Sequence, residues 1–299
     1  MPHLADGCCH PLTITSPDAN GIGRTVAYGP SVAHTKSGKR EIRDYAVRVR
    51  LRAILCVAGS VAALFFARPV ATVAAQALED IPGVPQMHWL TGVRTLPNSG
   101  GILNTPTNAK LLVGPDVPKL EKVLESFDPT TEGELRFTRL GTVEYQFCNC
   151  GYIIADDWSC VNADEVIASI QRYYENQGWD EVVGFTRPPH YDRAHATITY
   201  LIHFRNDTRH DFYEGDALIF GRDGFETLIA GTRKGDAAGT WAQLQTAMAA
   251  FRFPAGRTYA DYRPGDTASA NHIATAFAEK VGADDLVEHY FSSCATQRT

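Results

Sequence analysis

Thr197-Ile-Thr-Tyr-Leu-Ile-His-Phe-Arg205 is the stretch whose reading decides the fold. In an extended chain Ile198, Tyr200, Ile202 and Phe204 point one way, and Thr197, Thr199, His203 and Arg205 point the other. That pattern predicts a strand with one face in the core and one face wet. Asn206-Asp-Thr-Arg209 carries turn chemistry and sends the chain back as a second strand through Phe220. Gly221-Arg-Asp-Gly224 then turns it into a third, Phe225–Thr232. Connections this short cannot hold a crossover helix, so the three strands form an antiparallel meander.

Helix signals flank the meander on both sides. Upstream, Asn162 predicts an N-cap with Glu165 three residues on; Val166, Ile167, Ile170 and Tyr174 form the apolar face, and Gly178 ends the helix. Downstream, Thr240 with Gln243 predicts a capping box for a helix bearing Trp241, Leu244, Met248 and Phe251. Thr267 predicts the cap of a last helix running through Val281, with Gly282 at its end. Pro118 opens an earlier helix with Leu120, Val123, Leu124 and Phe127 on one side, stopped by Asp128-Pro129. Residues 134–155 predict two strands meeting near Asn149–Gly151, and residues 78–115 short strands joined by turns. Helices interspersed with antiparallel strands make this an α+β domain over residues 78–282, followed by a C-terminal tail, 283–299.

The N-terminal quarter reads differently. Arg48, Arg50 and Arg52 precede the apolar run Ala53–Ala67, and Ala75-Gln76-Ala77 supplies a small-x-small site before Leu78. Residues 46–77 therefore predict a signal peptide cleaved after Ala77, and a periplasmic or secreted mature chain. The alternative is an uncleaved N-terminal anchor tethering the protein to the inner membrane. Arg68-Pro69 interrupts the apolar run well short of the roughly 20 residues a span needs. Residues 1–45 are polar, without apolar periodicity, and predict either disorder or a start codon assigned too far upstream.

Charge narrows the partners. Residues 1–77 hold nine basic and four acidic residues, leaving nineteen basic and thirty acidic for the rest. A mature chain that acidic repels a phosphate backbone, so nucleic-acid binding is disfavoured. No second apolar span follows residue 77, so no stable membrane span is expected in the mature chain.

Four cysteines follow the signal: Cys148, Cys150, Cys160 and Cys294. In an exported chain an even number suggests disulfides. In an extended segment Cys148 and Cys150 face the same way and pair poorly with each other. The local expectation is Cys148 or Cys150 to Cys160, with Cys294 taking the remaining partner. The spacing matches no structural zinc site, and no metal or cofactor is expected.

Four blocks in order carry a family resemblance. They are Gly151-Tyr152 with Asp156-Asp157 and Asn162-Ala-Asp-Glu165; Gly184-Phe-Thr-Arg-Pro-Pro-His-Tyr-Asp192; Phe220-Gly-Arg-Asp-Gly-Phe225; and Phe251-x-Phe-x-x-Gly256-x-x-Tyr-Ala-Asp-Tyr262 with Gly265-Asp266. Over roughly residues 95–280 they resemble the bacterial domain of unknown function 2167 family, membrane-anchored envelope proteins. The resemblance implies an envelope protein without an established activity. Family members continue into C-terminal membrane helices, which this chain is expected to lack. The strand–helix order is also similar to the α/β/α sandwich of the PsbP-like and Mog1-like fold, an analogy of fold that implies no function.

Candidate chemistry is sparse. Gly221–Gly224 lacks the Lys-Ser/Thr and the following helix of a phosphate loop, and reads as a hairpin turn from which Arg222 can reach an anion. His190, His195, His203 and His210 show no ligand spacing on a helix. Asp261, Asp266 and His190 are the weak candidates for acid–base work, as in a hydrolase, provided environment separates their pKa values. Asp266 and Thr267 capping the last helix, with Asp261 against Arg257 or Arg263, is the plainer expectation. Trp158, Tyr191, Asp192, Arg222 and Tyr262 are the binding candidates, since Trp, Tyr and Arg dominate hot spots. The leading expectation is a non-catalytic periplasmic domain that binds an envelope protein or cell-wall component; the alternative is an enzyme of unidentified class.

Overall fold

The computed structural model describes residues 86–124, 128–138, 141–154, 156–206, 209–231 and 236–290. The predicted signal segment, Phe127, Thr232 and Cys294 lie outside the described residues. In chain order the elements are β1 (Val93–Thr95), β2 (Ile102–Asn104), β3 (Ala109–Val113), α1 (Val117–Leu124), β4 (Thr131–Phe137) and β5 (Gly141–Cys148). There follow α2 (Ala163–Gln177), β6 (Glu181–Asp192), β7 (Thr197–Arg205), β8 (Asp211–Phe220), β9 (Phe225–Gly231), α3 (Ala237–Ala250), β10 (Phe251–Arg252) and α4 (Ile273–Lys280).

The meander is β7-β8-β9, inside a seven-stranded antiparallel sheet of order β3-β4-β5-β9-β8-β7-β6. A smaller sheet, β1-β2-β10, is separate. One face of the large sheet presents Ile198, Tyr200, Ile202, Phe204 and Leu218, packed with Val166 and Ile170 of α2 and Ile273 and Phe277 of α4. Fully burying each such side chain is worth about 1.5–3 kcal/mol.

The expected wet face of the meander is also covered. Leu201 interrupts its polar row, and Ala217, Leu228 and Ala230 share a core with Leu244 and Ala247 of α3 and with Leu103 and Phe251 of the small sheet. Gly215 opens the space for α3: a Cβ there would sit 3.2 Å from Leu201 and 3.5 Å from Leu244. The result is an α+β domain with helices on both faces of the sheet.

Several boundaries differ from expectation for identifiable reasons. The hairpin predicted at Asn149–Gly151 is instead made between Phe137 and Gly141, where Gly141 has φ +124°. β5 runs on to Cys148 because that residue pairs with Phe225 of β9. Pro188-Pro189 does not merely precede a strand: it lies within β6, an edge strand with register shifts on both sides of Arg187. Prolines are tolerated there because an edge leaves one row of N–H groups unpaired.

Helix α2 starts as predicted, Asn162 accepting from Asp164 N at 3.0 Å, and Gly178 closes it at φ +67°. Helix α3 is capped by Asp236, which accepts from Ala238 N at 3.1 Å, while the Thr240 hydroxyl donates to the Asp236 carbonyl within the first turn. Helix α4 begins after His272, whose N–H donates to Thr275 Oγ1 at 2.8 Å; Thr267 is bonded elsewhere, its carbonyl accepting from Tyr152 N.

At the end of β5 the β8–β9 turn fits against the chain only because Gly224 lacks a side chain. With φ +147°, a Cβ there would fall inside contact distance of the Cys148 carbonyl oxygen. Gly256 also has a positive φ, +86°, but faces open space. Gly224→Ala is therefore expected to cost about 3 kcal/mol, and Gly256→Ala only about 1 kcal/mol. Chemical denaturation of the two variants checks the difference; equal losses would contradict the close approach.

Candidate functional site

One end of the large sheet gathers most of the predicted binding residues. Beyond Cys148, Gly151 turns the chain at φ +82° and its N–H donates to the Asp223 carbonyl at 3.0 Å. Tyr152 is then clipped by its backbone: its N–H donates to Thr267 O at 2.9 Å and its carbonyl accepts from Ser269 N at 2.8 Å. The Tyr152 ring lies between two others, 4.6 Å from Tyr259 and 4.1 Å from Tyr262, with interplanar angles of 24° and 18°. Stacked pairs of this kind add about 0.5–1.5 kcal/mol beyond their buried area.

All three rings are partly exposed. The Tyr259 hydroxyl donates to Ile153 O at 2.6 Å, and burial pushes its phenol far above the ordinary range. Next to Ile153, Ile154 is 56% exposed, a degree that among the large hydrophobic side chains of the described residues only Val93 matches.

Arg222 does reach an anion, but the anion belongs to the protein. Its guanidinium forms a fork on Asp266, with Nε to Oδ2 at 2.7 Å and Nη2 to Oδ1 at 2.5 Å, and donates to Gly256 O at 3.1 Å. Asp266 thus ties the β8–β9 turn to the 254–266 segment and does not cap α4. Asp261 meets neither Arg257 nor Arg263 through a hydrogen bond. It accepts from Gly256 N, Thr258 N and Thr258 Oγ1 and closes a short turn over Tyr259–Asp261. Both carboxyls are held below the usual range, Asp266 first by the Arg222 hydrogen bond and Asp261 first by the Thr258 hydroxyl. Two carboxylates pushed the same way are not a general acid and base, which need separated pKa values.

Tyr191 is 6% exposed and is a core residue, edge-on to Phe220 at 6.2 Å. Burial pushes its phenol up to about 12. Trp158 is half-buried between Tyr191 at 5.7 Å and Phe277 at 5.3 Å. Arg193 covers the Tyr191 ring at 5.5 Å and forks onto Asp156. Asp192 caps the β6–β7 turn, accepting from Ala194 N at 2.9 Å and pairing with His195 Nδ1 at 2.7 Å. His190 is exposed on β6 opposite Thr199, with no hydrogen bond to Asp261 or Asp266.

The rings therefore form a continuous chain, Trp158–Tyr191–Phe220–Tyr259–Tyr152–Tyr262, whose outer end is accessible. Sequence reasoning identified Tyr262, Trp158 and Tyr191 by residue type but passed over Tyr152, Ile154 and Tyr259. Their importance comes from a clip between segments more than a hundred residues apart, which no local pattern signals.

Cys148 and Cys150 carry reduced thiols, so the expected local disulfide from either to Cys160 does not form. Cys148 is fixed in the core by the last pair of β5, and the Cys150 thiol turns toward it.

A second polar feature crosses the face that carries α2 and α4. Tyr200, Asp216, Ile229, Glu144 and Glu134 occupy one row across five strands. Asp216 is 4% exposed, and burial pushes its carboxyl well above the ordinary range. Lys280 of α4 reaches Gln146 Oε1 beside this row at 2.5 Å. Glu121 of α1 faces Glu144, and burial first of all raises its pKa to about 7. Among the described residues, no three His, Cys, Asp or Glu side chains converge as a metal would require.

The model of the "Protein of unknown function (DUF2167)" family matches residues 95–287, well over half of the chain. The chain belongs to the DUF2167 family. The match spans every element from β2 to the turn at Asp284–Leu286 and includes Tyr152, Arg222, Tyr259, Tyr262 and Asp266. No curated protein matches. Among solved structures, the solution structure of cyanobacterial PsbP (CyanoP) from Synechocystis sp. PCC 6803 is similar at 9% identity, covering 58% of this chain and 97% of that one, with a TM-score of 0.35.

The raised Glu121 pKa has a definite sign in stability. A carboxyl whose folded value exceeds its ordinary value of 4.5 stabilises fully below that pH and loses its contribution as pH rises through about 7. Glu121→Gln removes this titration. Between pH 5 and 8 the melting temperature of the native chain is expected to fall more than that of the variant, read by circular dichroism across pH. Parallel curves would show that Glu121 titrates normally.

Proposed function

We propose that this DUF2167 member is an exported, non-catalytic binding domain that uses the aromatic end of its sheet to hold an envelope protein or a cell-wall component. Residues 46–77 direct export, cleavage follows Ala77, and the mature chain folds over residues 78–282.

The observation that carries this reading is the partly exposed Tyr259–Tyr152–Tyr262 stack beside the exposed Ile154. Aromatic and aliphatic groups on a surface drive association by leaving water. Here the backbone beneath them is fixed at Gly151, Tyr152 and Ser269, so little conformational freedom is lost when a partner docks. Tyr, Trp and Arg at such a place match the composition of interface hot spots. The hydrolase alternative has less support, because Asp261 and Asp266 are both engaged in structure and both held low.

The test is recovery of the full-length protein from its native host's envelope, with native and denaturing mass spectrometry of wild type and of a Tyr152→Ser, Ile154→Asp double variant. The expected wild type starts at Leu78 and retains a protein or glycan partner. The variant should be exported and folded but recovered alone. A chain that keeps residues 1–77, or a partner retained equally by the variant, would overturn the reading.

A further inference from the structure

Cys148 and Cys150 flank Asn149 where β5 leaves the sheet. Two cysteines this close in an extended strand stay apart, but the strand ends at Cys148. Gly151 turns the chain at φ +82°, and the β8–β9 turn presses against the Cys148 carbonyl through Gly224. The Cys150 thiol donates to the Gly151 carbonyl at 3.9 Å and faces the Cys148 thiol and Ser269.

The two sulfurs differ in access. Cys148 is 8% exposed among Phe220, Phe225 and Phe277, whereas Cys150 is partly open. The Cys148 hydrogen bond, with a smaller contribution from Ser269, holds the Cys150 thiol below its ordinary pKa, against burial and the nearby Glu279 carboxylate. An accessible, acidified thiol beside a shielded one is the division of labour of an attacking and a resolving cysteine.

We propose that Cys148 and Cys150 form a redox-active dithiol that exchanges with disulfides. The Cys150 thiolate attacks one sulfur of a disulfide R–S–S–R′, forming Cys150–S–S–R and releasing R′–S⁻. Cys148, once deprotonated, attacks the Cys150 sulfur, releases R–S⁻ and closes the Cys148–Cys150 disulfide. Two electrons pass from the cysteine pair to the substrate disulfide, and the two thiol protons end on the released thiols. A disulfide across a single intervening residue closes a small, strained ring, and strained disulfides are readily reduced, so the step runs in either direction. This proposal is independent of the docking surface, and either can fail without the other.

The full chain is equilibrated with defined ratios of reduced and oxidised glutathione, and in a parallel arm with a peptide disulfide, then alkylated and mapped by mass spectrometry. Wild type is expected to reach a reversible state in which one peptide holding Cys148 and Cys150 has lost two hydrogens. Cys148→Ala should accumulate the mixed disulfide at Cys150, and Cys150→Ser should form neither species. Faster reaction with glutathione disulfide points to a small-molecule substrate, and faster reaction with the peptide to a protein. Should Cys148→Ala not fold, the wild-type alkylation rates decide: Cys150 must react at least tenfold faster than Cys148 at neutral pH. Both thiols unchanged across all ratios, equal alkylation rates, or oxidation that joins either thiol to Cys160 or Cys294 would each overturn the proposal.

Discussion

The close approach of the β8–β9 turn to the end of β5 organises the aromatic end of this molecule. Gly224 leaves its side-chain space to the Cys148 carbonyl, and the neighbouring Asp223 carbonyl takes the Gly151 N–H. From the same turn, Arg222 forks onto Asp266 and reaches Gly256, while Arg222 N donates to Arg257 O. Arg257 returns to Asp223 at 3.0 Å. Three segments distant in sequence are thereby laced together, and the tyrosine stack stands on that lacing. A charged pair with this much protein hydrogen bonding serves as a brace, which explains why the most conspicuous arginine at the site is not waiting for a ligand.

Both faces of the sheet bury a carboxyl within an otherwise apolar core, and burial pushes each upward. Under α3 and the small sheet the apolar core encloses the fully buried Glu226, on the same side of β9 as Leu228 and Ala230, and the buried Thr240 and Gln243 of α3. Under α2 and α4 an apolar half gives way to the row running from Asp216 through Glu144 to Glu134. Ionising all of these side by side would be costly in so dry a place, and burial, with Glu214 beside it, pushes the Asp216 carboxyl toward its protonated form. This stability is set by protonation and is spent on the body of the fold, away from the aromatic end. The site itself relies on hydrogen bonds and stacking, which are indifferent to pH over the same range.

Local patterns in the sequence went far. The meander was legible nearly to the residue, because strand alternation and turn chemistry both act over a few positions. Asn162 and Gly178 bound α2 for the same reason. The covered face of the meander was not legible: one leucine in a polar row does not announce a helix lying on it. Pro188-Pro189 concealed β6, whose tolerance for proline comes from its place at the sheet edge. At the site, residue type alone pointed to Tyr262, Trp158, Tyr191 and Arg222, yet it overstated the exposure of Tyr191 and the freedom of Arg222. Tyr152 and Ile154 emerge only when Thr267 and Ser269 are known to lie alongside them.

The central claim is that the aromatic end of the sheet is the surface through which the protein meets its partner. A photo-crosslinking amino acid placed at Ile154, and in a separate variant at Val93, tests it directly in living host cells. Val93 is 57% exposed, against 56% for Ile154, but it belongs to the small sheet and not to the tyrosine stack. Irradiation is predicted to yield one discrete higher-mass adduct from position 154 and none from position 93. An adduct from position 93 alone, or equal adducts from both, would contradict the account.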